Sequence, residues 1–253
     1  MRLTFLGTGA TSAPPLFGCD CNLCNEARSS ALNRRRPASL LLESGETRLL
    51  LDAGLTDLAD RFPAQAFPHV LLAHFHPDHV QGLIHLRWGV GKNIAVYCPP
   101  DSEGCVDMYK HPGLLQFYPR RKFETFHIDA LSITPVPLIH SKVTFGYCIE
   151  SGQVKLAYLT DTVGLPPNTE AFLREWRATE MVLDCTYGPL DTLPRNHNDL
   201  TRALQIIAAV KPQRSWLTHI GHDFAGWLEL NKHRLPGDVN IACDNNIVDC
   251  SAA

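Results

Sequence analysis

Short apolar runs recur along the chain and predict β-strands. Each run is rich in branched or aromatic residues and is bounded by polar or turn-forming residues, the pattern of a partly or fully buried strand. The predicted strands are 3–6, 39–42, 48–52, 69–73, 94–98, 133–138, 143–150, 154–159, 181–184, 215–218 and 239–242. Helices are predicted at 55–62, 79–87, 168–178, 199–210 and 224–232.

The order of these elements predicts the fold class. Strands outnumber helices by about two to one, which favours two mixed sheets packed face to face with helices outside over a single doubly wound sheet. We therefore predict an α/β protein, a four-layer αββα sandwich, that forms one domain over residues 1–253. No internal repeat, low-complexity tract or long linker divides the sequence.

Composition narrows the class of protein. Of the 253 residues, 45% are hydrophobic and 19% are charged, as in globular proteins. The formal net charge of −3 gives no basic surface of the kind that binds a long nucleic acid. Because no signal peptide or membrane-spanning run is visible and the nine cysteines favour reduced thiols, we expect a cytoplasmic protein without membrane association.

The segment that carries most chemistry directly follows the strand at 69–73. It places His74, His76, Asp78 and His79 within six residues. A loop between a strand and a helix can turn these side chains toward one point, and imidazole plus carboxylate is a ligand set for first-row divalent metals. The alternative is a solvated, histidine-rich turn.

Three further polar residues each end an apolar strand: His140, Asp161 and His219. Taken alone, Asp161 could cap a helix and either histidine could be half-buried without a ligand role. Their order along the chain, after the cluster at 74–79, matches the ligand order of a known protein family.

A cysteine cluster forms a second candidate metal site. Cys19, Cys21 and Cys24 stand in CxCxxC spacing, so three thiolates can meet at one ion, and His222 is available as a fourth ligand. The sequence thus predicts a Cys3His structural zinc, with its loop at 18–25. Three reduced surface thiols are the alternative.

These motifs resemble those of the metallo-β-lactamase superfamily, whose HxHxDH motif is matched in full. Within it, the chain is similar to PhnP-type cyclic phosphodiesterases of the carbon–phosphorus lyase pathway of phosphonate catabolism. Segments outside the metal motifs carry that similarity, including LRWGVG at 86–91, KHPGLL at 110–115 and PRNH at 194–197.

The resemblance implies a dinuclear centre. His74, His76 and His140 would hold one metal ion, and Asp78, His79 and His219 the other, with Asp161 bridging the two. Ligand softness leaves Mn²⁺, Zn²⁺ and Fe²⁺ open, and the resemblance favours Mn²⁺. Such a pair of ions can generate a hydroxide from bridging water near neutral pH.

The resemblance also implies a reaction. The family opens 5-phosphoribosyl 1,2-cyclic phosphate to ribose 1,5-bisphosphate and accepts 2′,3′-cyclic nucleotides. His197 would be the general acid or a stabiliser of the phosphorane, and Asp78 would also count as catalytic. We consider Lys142, Arg195 and Arg87 as receivers of the 5-phosphate, although each could be surface charge only. The family further suggests a homodimer, with 110–117 as one contact.

Two other functions share this set of motifs. A transfer-RNA 3′-processing endonuclease uses the same ligands but needs a protruding basic arm, and no Lys-rich insertion is visible. A non-catalytic, carrier-like protein of quinone-cofactor biosynthesis pairs the same fold with a CxCxxC cluster. The seven ligands and the His197 loop argue against it. A β-lactamase or thioesterase is possible in principle, because fold and metals do not fix the substrate.

Overall fold

The computed structural model describes residues 1–251, which contain fourteen strands and seven α-helices. The strands are β1 (Arg2–Gly7), β2 (Ser39–Ser44), β3 (Thr47–Leu51), β4 (His69–Leu71), β5 (Ile94–Cys98), β6 (Leu115–Pro119), β7 (Phe126–Ile128), β8 (Leu131–Pro137), β9 (Phe145–Ser151), β10 (Val154–Leu159), β11 (Glu180–Asp184), β12 (Arg214–Thr218), β13 (Val239–Ile241) and β14 (Ile247–Asp249). The helices are α1 (Asn22–Ser29), α2 (Leu58–Arg61), α3 (Pro77–Leu86), α4 (Val106–Lys110), α5 (Pro167–Trp176), α6 (Leu200–Val210) and α7 (His222–Asn231), and a 3₁₀ turn at Lys232–Arg234 follows α7.

The strands form two seven-stranded sheets. Their orders are β14-β1-β2-β3-β4-β5-β6 and β13-β12-β11-β10-β9-β8-β7. One apolar cluster fills the space between the sheets, a second packs α2, α3 and α4 on the outside of the first sheet, and a third packs α5, α6 and α7 on the outside of the second. The predicted αββα sandwich is therefore confirmed.

Alternation along the strands explains the layers. In β2, Leu40 and Leu42 lie in the cluster between the sheets, whereas Leu41 lies in the cluster beneath the outer helices. In β11, Val182 faces the other sheet, while Met181 and Leu183 face the helices. Because both faces of these strands are covered, both are apolar, which gives the continuous hydrophobic runs in the sequence.

Three strands and two helices were not predicted. Strands β6, β7 and β14 are short edge strands, and their exposed residues interrupt the apolar pattern that marks a buried strand. Helices α1 and α4 are also short. The strand predicted at 69–73 ends at Leu71, so the segment that carries the histidines begins earlier than expected.

Topology brings several strand ends to one edge. Strands β10, β11 and β12 are mutually parallel, and β8 shares their direction because both β8 and β10 pair antiparallel with β9. The carboxyl ends of these four strands therefore lie along one edge of the second sheet, where ligands commonly bind in mixed α/β sheets. Among residues 1–251, no helix is long and apolar enough to cross a membrane.

Candidate metal centre

The seven His and Asp side chains named from the sequence converge at this edge. They come from the end of the β4–α3 connection, from the first turn of α3, and from the residues just after β8, β10 and β12. Pro77 begins α3, where its missing N–H costs no hydrogen bond. Asp78 and His79 follow in the same turn and are buried.

Three imidazoles form the first group. His74 Nε2 lies 2.8 Å from His76 Nδ1, and His140 Nε2 lies 3.1 Å from the same His76 atom. These three ring nitrogens cannot all be N–H donors to one another, because every hydrogen bond needs one nitrogen to act as the acceptor. A shared cation satisfies all three lone pairs at once.

The second group contains Asp78, His79, Asp161 and His219, whose ligand atoms all lie within 4.8 Å of one another. Asp161 Oδ2 is 3.2 Å from His79 Nε2 and 3.5 Å from His219 Nε2. The same oxygen is 3.7 Å from His74 Nε2. Asp161 thus faces both groups, the position that a bridging carboxylate requires.

Electrostatics of these side chains fit dications. Burial lowers the pKa of His74 well below its usual value, and the neighbouring His79 adds to the effect, so His74 is a neutral imidazole with a free lone pair. Burial disfavours the charge on Asp161, yet His219 and His79 hold its pKa well below the usual range. Neither ring nitrogen of His79 has a well-aligned hydrogen-bond partner, although Asp52 lies 2.9 Å from Nδ1 and Asp161 lies 3.2 Å from Nε2. An ion bound at Nε2 would satisfy that buried nitrogen. The clusters suit two divalent metal ions.

Asp52 supports the second group from behind. It is fully buried and directly follows β3. Its Oδ1 accepts the Ala73 N–H at 2.8 Å, and its Oδ2 accepts the Tyr158 hydroxyl at 2.9 Å. That second oxygen also lies 2.9 Å from Nδ1 of His79. A carboxylate in this place keeps the proton on Nδ1 and leaves Nε2 as the metal-binding nitrogen.

Asp184, the last residue of β11, supports the catalytic candidate His197. Its Oδ2 accepts from His197 Nδ1 at 2.9 Å and from the Thr162 N–H at 2.9 Å. The His197 ring stacks on that of His219, with 4.8 Å between centroids. Burial opposes protonation of His197, but Asp184 and Asp161 raise its pKa to about 9. Its Nε2 is then the nitrogen that can give a proton to a bound substrate.

Sequence reasoning did not assign roles to Asp52 and Asp184. A signal was present, because each stands at the end of an apolar strand, as His140 and Asp161 do. Thr186 is a further missed residue. Its hydroxyl can donate to Asp184 Oδ1 at 3.0 Å and accept from His219 Nδ1 at 2.9 Å, which fixes the tautomer of His219.

The structure also brings the cysteine cluster together with His222. Cys21 Sγ is 3.3 Å and Cys19 Sγ 3.7 Å from His222 Nε2, and the ligand atoms of the four residues, Cys24 included, lie within 4.8 Å of one another. All nine cysteines are free thiols. The segment expected to be a loop at 18–25 includes the first turn of α1, and His222 begins α7 just beyond His219.

The three candidates for binding the 5-phosphate lie in different settings. Arg87 follows the last residue of α3, nine residues and roughly 13 Å along the helix from Asp78, and pairs with Asp107 at 2.7 Å. Lys142 lines a separate cleft that contains none of the seven His and Asp side chains. Arg195 is exposed on the loop that carries His197.

Comparison with known proteins adds a family and a fold. Residues 47–220 match the family model of the beta-lactamase superfamily domain. The octanoyltransferase of Porphyromonas gingivalis is 26% identical over 246 residues, 88% of this chain and 46% of that protein, so the chain spans about half the length of that relative. Coenzyme PQQ synthesis protein B of Methylorubrum extorquens is 26% identical over 208 residues, 68% of this chain and 69% of that protein. Among solved structures, a new diphosphatase from the PhnP family superposes with a TM-score of 0.83 and 24% identity, covering 99% of this chain and 98% of that one.

Proposed function

The chain belongs to the beta-lactamase superfamily, and from that premise we propose that it is a metal-dependent phosphodiesterase. Its substrate would be 5-phosphoribosyl 1,2-cyclic phosphate, opened to ribose 1,5-bisphosphate, with 2′,3′-cyclic nucleotides as alternatives. The observation that carries the proposal is the convergence of the two His and Asp groups with a histidine paired to a buried carboxylate. The similarity in fold to the PhnP-family diphosphatase supports phosphate chemistry.

The metal ligands in this proposal are the seven residues of the two groups. His74, His76 and His140 would hold one ion, Asp78, His79 and His219 would hold the other, and Asp161 would be shared by the two. Mn²⁺ is the favoured ion, and Zn²⁺ and Fe²⁺ are alternatives. Cys19, Cys21, Cys24 and His222 hold one structural Zn²⁺.

In the proposed reaction, ions held by the two His and Asp groups would supply the hydrolytic nucleophile and neutralise charge on the phosphate. The residues of the chain supply the proton. Asp184 holds the protonated His197 with Nδ1 turned inward, so that Nε2 gives its proton to the leaving alkoxide. Asn196 keeps the loop in place, since its carbonyl accepts from His140 Nδ1 at 3.0 Å.

The competing functions have weaker support. A carrier has no need of a histidine paired to a buried carboxylate beside a metal centre, and His197 has that pairing with Asp184. An endonuclease for transfer RNA needs a basic arm, whereas the net charge is −3. Since fold alone does not fix the substrate, both remain outcomes of the test.

The test is a side-by-side assay of protein reconstituted with Mn²⁺. Its substrates are phosphoribosyl 1,2-cyclic phosphate, 2′,3′-cyclic AMP and a precursor transfer RNA. We expect the highest kcat/KM with the ribosyl cyclic phosphate. Cleavage of RNA alone would replace the proposal with the endonuclease, and no turnover of any substrate would favour the carrier.

We further propose a cytoplasmic homodimer. Strand β6 is one of the two edges of the first sheet, and its residues overlap the 110–117 segment, so two copies could pair there by backbone hydrogen bonds. Light scattering after size-exclusion chromatography would give twice the chain mass of 28.1 kDa for a dimer, and the chain mass itself would exclude it.

A further inference from the structure

Three consecutive arginines border a cleft beside the metal centre. Arg34, Arg35 and Arg36 precede β2, and together with Pro77 and Asp78 they line a cleft of about 520 Å³. Asp78 belongs to the second His and Asp group. Of the seven His and Asp side chains of the centre, Asp78 is the one that lines the cleft, so the cleft reaches the second group from the side of α3.

Backbone contacts hold this arginine segment close to the centre. The Gly9 N–H donates to the Arg36 carbonyl at 2.7 Å. Gly9 also forms β-bridges with Pro37 on one side and Ile220, the neighbour of His219, on the other. Neighbouring strands lie ~4.8 Å apart, and two such spacings separate Pro37 from Ile220. The two backbones are therefore roughly 10 Å apart.

Gly54 places the same segment against Asp78. A Cβ atom at Gly54 would lie 2.1 Å from the Asp78 carbonyl oxygen and 2.9 Å from Pro37 Cβ. Only glycine fits between the two, so the Arg36–Pro37 backbone and the first turn of α3 are packed together. The position of Arg36 relative to Asp78 is thus fixed by the fold.

The three arginines differ in what they already bind. Arg35 is engaged within the protein, since its Nη1 donates to Thr8 Oγ1 at 2.9 Å and to the Ala242 carbonyl at 2.7 Å. Arg34 donates only through Nε, to the Ala27 carbonyl at 3.3 Å. Within residues 1–251, the Arg36 guanidinium makes no hydrogen bond or ion pair, whereas its backbone N–H donates to Asp244 at 2.8 Å and its carbonyl accepts from Gly9.

The charge in the cleft is one-sided. Asp78 is the only acidic residue that lines it, and that carboxylate faces His219 at 3.4 Å. A guanidinium presents a planar fork of donors that matches the oxygens of a phosphate. Arg36, with Arg34 beside it, therefore presents donors for a phosphate in the cleft that Asp78 also lines.

We propose that Arg36 and Arg34 bind the second, non-reacting phosphate of the substrate. This rests on the proposed phosphodiesterase function and deepens it. The arginines select phosphorylated sugars that carry a phosphate monoester besides the cyclic phosphodiester. A 2′,3′-cyclic nucleotide has no such second phosphate and does not use the cleft.

The test compares Arg36→Ala with the wild type on both substrates, each protein loaded with Mn²⁺. For phosphoribosyl 1,2-cyclic phosphate, kcat/KM falls by about 10- to 100-fold, mainly through KM, as charge-assisted hydrogen bonds are lost. For 2′,3′-cyclic AMP, kcat/KM is unchanged, and Arg36→Lys restores part of the loss. Arg121→Ala, an exposed arginine in the separate cleft with Lys142, affects neither substrate.

An equal loss on both substrates, or no loss on either, would overturn the phosphate site while leaving the phosphodiesterase standing. If the wild type turns over neither substrate, the proposed phosphodiesterase function is refuted, but the phosphate site is not yet tested. The site is then tested by calorimetric titration of the Mn²⁺-loaded protein with ribose 5-phosphate. Arg36→Ala must weaken that binding by about tenfold or more, and equal affinity in the two proteins would refute the site.

Discussion

Asp52→Asn is the substitution that tests most sharply how the protein presents its metal ligands. Asp52 has a left-handed backbone, with φ of 57°, which asparagine tolerates. The change is therefore nearly isosteric and removes only the charge and one acceptor. The asparagine NH₂ would face Nδ1 of His79, 2.9 Å away in the wild type. His79 would then have to accept at Nδ1 and carry its proton on Nε2, which cannot bind a metal in that tautomer.

The expected magnitude follows from the role of such a supporting carboxylate. Losing it costs about 10- to 100-fold in metal affinity, equivalent to about 1.4 to 2.8 kcal/mol. The assay is competition with a chelator, with bound metal measured by mass spectrometry. One ion per chain should be lost first, because His79 belongs to one group only. Tyr158→Phe is the matched control, since it removes a hydrogen bond to Asp52 but keeps the charge. Wild-type metal affinity in Asp52→Asn would show that the Asp52 carboxylate does not set the tautomer of His79.

Three further predictions concern other parts of the structure. His197→Ala should keep both metals and lose about 10²- to 10⁴-fold in kcat, and steady-state kinetics with an unchanged kcat would rule out its acid role. Cys21→Ser should lower zinc content and melting temperature before it affects chemistry, and loss of the active-site metals with zinc still bound would contradict the structural role. Gly54→Ala should lower the free energy of unfolding in urea by about 1–3 kcal/mol, since its Cβ would overlap the Asp78 carbonyl, whereas Gly226→Ala in helix α7 has room and should cost nothing.

The sequence predicted the layers of the fold because the core strands are buried on both faces. Runs such as 39–42 and 48–52 are unmistakable, whereas edge strands such as β6 and β14 are partly exposed and lose that signal. The ligand candidates were found because they combine a motif with the end of a strand.

The supporting residues of the site were harder to find. Asp52 and Asp184 each stand apart from the clusters of candidate ligands in the sequence. Their role is visible only in the fold, which places them beside His79 and His197. The position of the arginines at 34–36 beside Asp78 was not predicted, for a different reason. Their closeness to Asp78 depends on packing between distant segments around Gly54, which no local pattern reports.

Titration of metal-free protein with Mn²⁺ tests whether two ions bound by the His and Asp groups make the protein a phosphodiesterase. Hydrolysis of phosphoribosyl 1,2-cyclic phosphate would be followed by phosphorus NMR, with bound metal measured on the same samples. We expect no hydrolysis without metal and full activity when two ions per chain occupy the His and Asp groups, with ribose 1,5-bisphosphate as product. Full activity in the metal-free protein, or no hydrolysis with both ions bound, would rule out a dinuclear phosphodiesterase.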